Sequence, residues 1–156
     1  MSEKKQRETK YNVGKRTDKR TYDGIVFDSI AEMEFYRDAI LPGVQSGEIV
    51  HCERQKEYLL QEEFEHHGKK FLPIKYIADF VLTYKDGHED VIDVKGMPDH
   101  VAPIKKKLLL YQNPEINFYW VAYSKIDGGW KTYEYIQSQR RKRRREKAKQ
   151  KKEKEK

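Results

Sequence analysis

The stretch IKYIADFVLTYKDGHEDVIDVKG, residues 74–96, reads as two apolar β-strands folded back on each other. Three charged residues interrupt the apolar pattern: Asp79, Asp93 and Lys95. Burying an isolated carboxylate costs several kcal/mol, so acids within strands rich in Val, Ile and Phe require a partner, usually a cation or a metal ion. This requirement is the first indication of what the chain does.

The register of this hairpin determines whether the two acids meet. Side chains alternate across a strand, so Asp79 shares a face with Asp93 only if the two residues pair, which centres the turn on Asp86. A two-residue turn at Asp86 and Gly87 would place the acids on opposite faces. A three-residue loop ending at Gly87 gives the required pairing, because glycine fills the left-handed last position without steric cost. We predict this loop, with the acid Cβ atoms roughly 5 Å apart, close enough to share one divalent ion.

Charge is distributed unevenly along the 156 residues. The net charge is +7, but residues 140–156 carry 12 Lys and Arg against 3 Glu, and residues 1–20 carry 8 basic against 3 acidic groups. Residues 21–139 carry 13 basic and 20 acidic groups, so the expected folded body is acidic and its arms are basic. The arms would hold a polyanion, and the acids of the body would need cations to approach phosphate. Basic tails are also commonly only solubilising, and the Arg-rich run resembles a nuclear-import signal.

Length and composition predict one domain with two tails. We expect a flexible basic arm over 1–20, a folded domain over 21–136 and a basic tail over 137–156. No run of 18 or more apolar residues occurs, and the charged start lacks the apolar core of a signal peptide, so we expect a soluble, cytoplasmic protein. The single cysteine, Cys52, excludes an internal disulfide framework and a CxxC zinc site.

A helix is predicted from Ser29 to the Pro42-Gly43 pair. Ser29 and Glu32 form a capping-box pattern. Apolar residues then recur at helical spacing at Ile30, Met33, Tyr36 and Ile40. Glu32 has two interpretations: it reaches back to the Ser29 amide as a cap, or it points from the flank of the buried stripe toward the hairpin acids. Glu34 lies further round the helix, toward solvent.

The first long strand is predicted over Ile49–Gln61, with Gln55 and Tyr58 as inward polar groups. A polar hairpin follows, in which His66 and His67 could suggest a metal site. Adjacent residues diverge and no third ligand stands at a metal-binding spacing, so we predict that both histidines are exposed. Residues 116–124 predict the buried centre of the sheet, and residues 130–136 a last alternating strand. The tail beyond them lacks an apolar stripe and is expected to become helical only against a partner.

A second helix is predicted over residues 98–113. Its inward side is expected to carry Ile104, Leu108 and Tyr111. Its other side carries Lys105, Lys106 and Lys107, which form either a solvated face or a phosphate-facing ridge beside Lys95.

Two acids and a lysine are parts suited to phosphodiester hydrolysis. Mg²⁺ takes oxygen ligands in octahedral coordination and keeps several waters. We expect Asp79 and Asp93 to bind one Mg²⁺ or Mn²⁺ ion. The Val94 carbonyl and Glu32 would complete the ligand set directly or through water. The ion would polarise the scissile phosphate, while the Lys95 ammonium orients the attacking water or offsets charge on the transition state.

These residues also carry a resemblance to a known family. The matching segments, in chain order, are YDGIVFDS at residues 22–29 with Glu32, the strand that contains Gln55, YIADF at residues 76–80, and DVKG at residues 93–96. In combination they resemble the PD-(D/E)xK nuclease superfamily, and within it a small endonuclease-like family of phages and prophages long catalogued as a domain of unknown function. The match covers roughly residues 11–125. Ala78 replaces the Pro of the superfamily pattern.

The resemblance implies a restriction-endonuclease-like α/β fold with an αβββαβ core, in which helices flank a mixed central sheet. It implies divalent-metal-dependent cleavage of DNA, with branched or four-way junctions of phage recombination as the substrate by kinship. A homodimer would supply the two sites that cutting both strands needs. The implied catalytic residues are Glu32, Asp79, Asp93 and Lys95, with Gln55 and Ser29 as auxiliary residues.

DNA would be held by basic side chains of the second helix and the tail, namely Lys105, Lys106, Lys107, Arg140, Arg141, Lys142, Arg143, Arg144 and Arg145. A second enzymatic alternative is a nuclease that acts on other DNA ends during recombination or packaging. A different class of function is a non-catalytic nucleic-acid-binding protein that uses its basic arms, with the acids serving as ion-pair partners.

Overall fold

The computed structural model describes residues 17–154, which form a mixed α/β fold around one five-stranded sheet. Its elements, in chain order, are β1 Thr21–Tyr22, β2 Ile25–Val26, α1 Ile30–Phe35, a π-helical turn Tyr36–Ile40, α2 Leu41–Gln45, β3 Ile49–Gln61, β4 Phe64–His66, β5 Lys69–Phe71, β6 Ile74–Tyr84, β7 Glu89–Val94, α3 Ala102–Gln112, β8 Asn117–Ser124, β9 Gly129–Thr132 and α4 Tyr133–Lys154. Short 3₁₀ turns cover Thr17–Arg20 and Lys125–Asp127. Apart from the first of these turns, the predicted arm over 1–20 lies outside the described residues.

The main sheet has the strand order β3-β6-β7-β8-β9. β3, β6 and β7 are antiparallel neighbours, β7 and β8 are parallel, and β8 and β9 are antiparallel. Helix α3 makes the crossover that a parallel pair requires. The predicted α/β fold, with helices flanking a mixed central sheet, is confirmed. The central strand is β7 and not the predicted segment 116–124, because β7 has two strands on each side.

The hairpin between β6 and β7 has the predicted register. Phe80 pairs with Ile92, so Asp79 falls opposite Asp93 at the next position. The connecting loop has three residues and ends at Gly87, whose φ is 88°. Turn chemistry and the requirement that two acids share a face therefore predicted the same, correct pairing.

β3 has its predicted bounds, and the β4–β5 hairpin that follows leaves His66 and His67 exposed, as predicted. β3 and β6 share an irregularity that was not predicted. Phe80 packs in the core cluster beneath α1, whereas Ala78, also even-numbered, packs in the cluster beneath α3. The even-numbered residues of β3 change clusters at the same level, where Gln55 lies opposite Asp79 and has a φ of 53°. Such a backbone conformation is unfavourable for a residue with a side chain and tends to occur at functional sites.

The first helix begins at the predicted residue but continues beyond its predicted end. The Ser29 hydroxyl oxygen accepts a hydrogen bond from the Glu32 backbone N–H at 3.1 Å, which confirms the cap. The predicted end at Pro42-Gly43 is wrong, because the π-helical turn leads into α2 and Pro42 occupies the first turn of α2, where a missing N–H costs nothing. Ile30, predicted to begin the buried stripe, is 45% exposed.

Helix α3 turns a different face to the sheet from the predicted one. The residues expected inside are exposed: Ile104, Leu108 and Tyr111. Leu109 is fully buried instead. Lys105 and Lys106 precede Leu109 by one helical turn and therefore lie on its side of the helix. These lysines can lie on the side of the helix that faces the sheet, because acidic groups and aromatic rings lie opposite them.

The C-terminal region also differs from the prediction. The last strand ends at Thr132, and α4 begins at Tyr133, so the predicted strand over 130–136 is wrong beyond Thr132. The prediction that the tail needs a partner to become helical is also wrong. The first turn of α4 is anchored by Ile136, which is 2% exposed, and Arg143 forms a salt bridge with Asp127 at 2.6 Å. Tertiary contacts such as these support a helix that has no apolar stripe of its own.

Candidate active site

Three acidic side chains come together where α1 lies against the β6–β7 hairpin. Asp93 is 2% exposed, Glu32 is 7% exposed, and Asp79 is largely buried. Asp79 interacts electrostatically with both of the other acids. Lys95 follows directly after β7, and its Nζ lies 3.2 Å from Asp93 Oδ1. The structure therefore brings together the four residues predicted as the catalytic set.

Asp79 is held by the neighbouring strand. Its Oδ2 accepts a hydrogen bond from the Val94 backbone N–H at 2.7 Å. Its carboxyl group is close enough to that of Asp93 for the two to interact electrostatically. Burial, followed by the negative charges of Asp93 and Glu32, raises the pKa of Asp79 to about 8. Two carboxyl groups this close are destabilised when both are charged, and a shared proton or cation relieves the repulsion.

Glu32 satisfies both of its interpretations. It belongs to the cap, because the Ser29 hydroxyl donates to Glu32 Oε1 at 2.8 Å while the Glu32 amide donates back to Ser29 Oγ. It also belongs to the acidic cluster: burial raises its pKa, and the charge of Asp93 contributes in the same direction. Ser29 thus positions the carboxylate at the start of the helix, close to the hairpin.

Asp93 has a partner that the sequence did not reveal. The hydroxyl of Tyr76 donates a short hydrogen bond to Asp93 Oδ2, and the indole Nε1 of Trp120 lies 3.4 Å from the Tyr76 oxygen. Strict alternation along β6 places Tyr76 and Asp79 on opposite faces of the sheet. The reversal of faces at Asp79 brings both residues to Asp93. The only sequence signal was Tyr76 itself, which belongs to the YIADF segment.

The donor set suits a hard divalent cation. Among residues 17–154, no three His, Cys, Asp or Glu side chains are arranged as a ready-made metal site. Asp93 Oδ1 is nevertheless buried and accepts no hydrogen bond within this part of the chain, although the Lys95 ammonium lies 3.2 Å away. Oxygen atoms of carboxylates are the ligands that Mg²⁺ and Mn²⁺ take. Asp79, Asp93 and Glu32 therefore fit such an ion, and ligation by the Val94 carbonyl stays a prediction.

The predicted lysine ridge on α3 is divided among three environments. Lys105 lines a hollow of about 250 Å³ together with Asp93 and Lys95. Lys106 points elsewhere, because its Nζ lies 4.2 Å from the ring centroid of Trp120 and 2.9 Å from the Glu134 carboxylate. Lys107 is exposed. The structure thus places one of the three lysines beside the acids.

The predicted DNA-binding residues of the tail also differ in their surroundings. Arg143 is bound to Asp127 through both terminal nitrogens, at 2.6 and 3.3 Å. Arg140 lines a second hollow that contains Lys95. The remaining basic residues of this run are exposed: Arg141, Lys142, Arg144 and Arg145. Gln55 lies opposite Asp79 in the strand register, so both predicted auxiliary residues, Gln55 and Ser29, adjoin the acids.

A family model described as a protein of unknown function, DUF1064, matches residues 8–127, a range that includes Glu32, Asp79 and Asp93. No curated protein matches the chain. Among residues 17–154, no helix is both long and apolar enough to cross a membrane.

Proposed function

We infer that the chain, which belongs to the family of proteins of unknown function DUF1064, is a metal-dependent endonuclease that hydrolyses phosphodiester bonds in DNA. The observation that carries the proposal is the buried acidic cluster, in which Asp79 has a raised pKa and the buried Asp93 Oδ1 faces the Lys95 ammonium at 3.2 Å without forming a hydrogen bond. Clustered buried carboxylates destabilise a fold unless a cation joins them. A site that carries this cost and stands beside lysines is typical of phosphate chemistry.

Each residue has a role that its contacts support. When bound by the acids, Mg²⁺ or Mn²⁺ would supply Lewis-acid activation of the phosphate and a lowered pKa for a water. Tyr76 and the Val94 amide fix the orientations of Asp93 and Asp79, and Ser29 fixes Glu32. The ammonium of Lys95 is near enough to orient the attacking water or to stabilise negative charge on the pentavalent transition state.

DNA is proposed as the substrate because basic groups flank the acids. Lys105 and Lys95 line the same hollow as Asp93, and the exposed arginines of α4 provide further phosphate contacts. Branched or four-way DNA is the substrate favoured by the resemblance to junction-resolving nucleases. A homodimer would place two such sites on one DNA molecule.

A second candidate is a non-catalytic nucleic-acid-binding protein. The salt bridge of 3.2 Å between Lys95 and Asp93 favours it, because the same contact would serve a purely structural ion pair. The two functions differ in what a divalent ion does: it is required for catalysis and weakens purely electrostatic DNA binding.

The test is cleavage of supercoiled, linear and branched DNA with and without Mg²⁺, by the wild type and by Asp93→Asn. The matched control is Asp90→Asn, on the same strand but outside the acidic cluster. We expect Mg²⁺-dependent nicking by the wild type and the control, and DNA binding without nicking by Asp93→Asn. Binding without cleavage by all three proteins on every substrate, with Mg²⁺ and with Mn²⁺ in its place, would instead support the binding protein.

A further inference from the structure

Lys95 lines two hollows of different character. The first, about 250 Å³, is the one that contains Asp93 and Lys105. The second, about 210 Å³, is formed by parts of α1, β8, β9 and α4. If the scissile phosphate lies against Asp93, as the proposed function requires, then the nucleotide next to it is within reach of the second hollow.

Three of the side chains that line the second hollow are aromatic: Tyr123, Trp130 and Tyr133. Tyr123 is 59% exposed, and its ring meets that of Trp130 edge to face with the centroids 5.4 Å apart. A nucleobase of any identity can stack on such a ring, because every base has a π face. Tyr123 is therefore an exposed ring held in a fixed orientation.

Two side chains of opposite charge also line the second hollow. Glu34 comes from α1 and Arg140 from α4. Within residues 17–154 neither side chain is held in a salt bridge. The edges of nucleobases present both hydrogen-bond donors and acceptors, and carboxylate and guanidinium groups are among the side chains that recognise them. Glu34 can accept from an exocyclic amino group, and Arg140 can donate to a ring nitrogen or carbonyl oxygen.

The volume limits what the hollow can contain. Pockets for drug-sized ligands measure about 300–1,000 Å³, so a hollow of about 210 Å³ has room for a single ring system and not for a complete nucleotide. The sugar and phosphate would remain outside, toward Lys95.

We propose that this second hollow, lined by Tyr123, Trp130, Glu34 and Arg140, binds one unpaired nucleobase of the DNA strand beside the scissile phosphate. The proposal rests on the nuclease function proposed above and deepens it. A base within a duplex cannot enter a hollow of this kind, so the base must be unpaired already or must leave the stack. The substrate class is then DNA with an unpaired base at the cleavage site, as in bulges and at branch points.

Affinity for two DNA duplexes that differ in one base tests the proposal. One duplex carries a single unpaired base as a bulge, and the other carries an abasic residue at the same position, so the bent backbone is shared. Binding is measured by fluorescence anisotropy without divalent metal, which makes the result independent of cleavage. We expect the wild type to bind the base-containing bulge roughly 5- to 100-fold more tightly, the loss expected for removal of one base–aromatic stack.

The variant Tyr123→Ala should bind both duplexes equally. Its matched control is Tyr119→Ala, which removes another exposed tyrosine of β8, 38% exposed and outside the hollow. The control should keep the preference of the wild type. Equal affinity of the wild type for both duplexes, or an equal preference in both variants, would overturn the proposal.

A second variant guards against a folding defect in the first. Glu34→Met keeps the approximate size of the side chain and removes its oxygen acceptors, which Gln would not do because its amide oxygen also accepts hydrogen bonds. The wild type should prefer bulged adenine, cytosine or guanine to thymine, which has no exocyclic amino group, and Glu34→Met should lose this preference. An unchanged preference would count against the proposal.

Cleavage assays with Mg²⁺ separate this proposal from the nuclease function. Cleavage of both duplexes at equal rates, with equal affinities, would leave the nuclease function in place and refute base binding. A preference for the base-containing bulge without cleavage of any DNA would support base binding and refute the nuclease.

Discussion

Two regions of the molecule shield an acidic side chain from water, but they surround it with opposite charges. Asp127, whose side chain is 4% exposed, is paired with Arg143 and also accepts a hydrogen bond from Ser124 at 2.6 Å. The pairing with Arg143 lowers the pKa of Asp127. Asp79 faces other carboxyl groups instead, and burial raises its pKa. Asp127 is therefore paired with a cation of the fold, whereas among the described residues Asp79 forms no salt bridge and Lys95 is paired with Asp93 instead.

The difference teaches how to separate structural acids from functional ones. The side chains of both acids have little contact with solvent, so exposure alone does not distinguish them. The presence of a partner does: an acid with a guanidinium stabilises the fold, whereas acids clustered together destabilise it and persist for another reason. The comparison predicts opposite consequences of neutralising each acid.

The largest expected effect is the loss of catalytic activity in the variant Asp79→Asn. Because the substitution removes a proposed ligand of the metal ion, we expect kcat to fall by at least about 10²- to 10³-fold. At pH 7 the folded state must take up a proton to bury Asp79, whereas Asn is neutral in both states, so the free energy of unfolding without metal should rise by roughly 1–3 kcal/mol. Urea denaturation and a nicking assay measure the two effects. A variant that is less stable and fully active would show that Asp79 is an ordinary structural acid.

The next effect is on stability: Asp127→Asn should destabilise the fold, whereas Asp79→Asn should stabilise it. Loss of the charge weakens the pairing that joins α4 to the turn after β8, so Tm should fall by a few degrees. Cleavage measured at a temperature where the variant is folded should be close to that of the wild type. Calorimetry without metal gives the Tm, and Asp90→Asn serves as the control for loss of a charge elsewhere. Equal Tm values for the variant and the wild type would remove the contrast between the two acids.

The pH dependence of stability distinguishes the regions further. The pKa of Asp79 is about 8 in the folded protein and near 3.8 when unfolded, so between these values the folded state binds the extra proton. Stability from this group is therefore present at low pH and lost as pH rises toward 8, by up to about 1.4 kcal/mol per pH unit. Asp127 acts in the other direction, because its lowered pKa makes its contribution disappear only as pH falls below the ordinary Asp range.

Urea denaturation without metal from pH 5 to pH 8 checks this. The wild type should become less stable as the pH rises, and Asp79→Asn should show a shallower dependence. Mg²⁺ should stabilise the wild type more at pH 8 than at pH 5, because ligands must be deprotonated to bind it. The same slope in both proteins would show that Asp79 does not titrate in this range.

The sequence predicted the hairpin of the site because purely local chemistry sets it. The pairing of Asp79 with Asp93 follows from alternation and from a loop that ends at Gly87. The cap by Ser29 on Glu32 is local as well. In the turn and register of the β6–β7 hairpin and in the first helical turn, residues close in sequence determine the structure.

The features that the sequence did not predict depend on distant residues. Helix α3 offers two apolar faces, and the sheet selects Leu109 because Lys105 and Lys106 find acids and rings there. Helix α4 forms without an apolar stripe because Arg143 reaches Asp127. Each of these choices is made by tertiary contacts, which periodicity does not report.

The smallest expected effect comes from Tyr76, whose role depends on the unpredicted reversal of faces in β6. The variant Tyr76→Phe removes only the hydroxyl that donates to Asp93. We expect kcat to fall roughly tenfold, equivalent to about 1.4 kcal/mol, with KM for DNA unchanged and a higher Mg²⁺ concentration at half-maximal rate. Tyr58→Phe is the matched control, because Tyr58 packs against the same cluster without a bond to the acids. If both variants lower kcat equally, or if only Tm changes, Tyr76 supports the core and does not position Asp93.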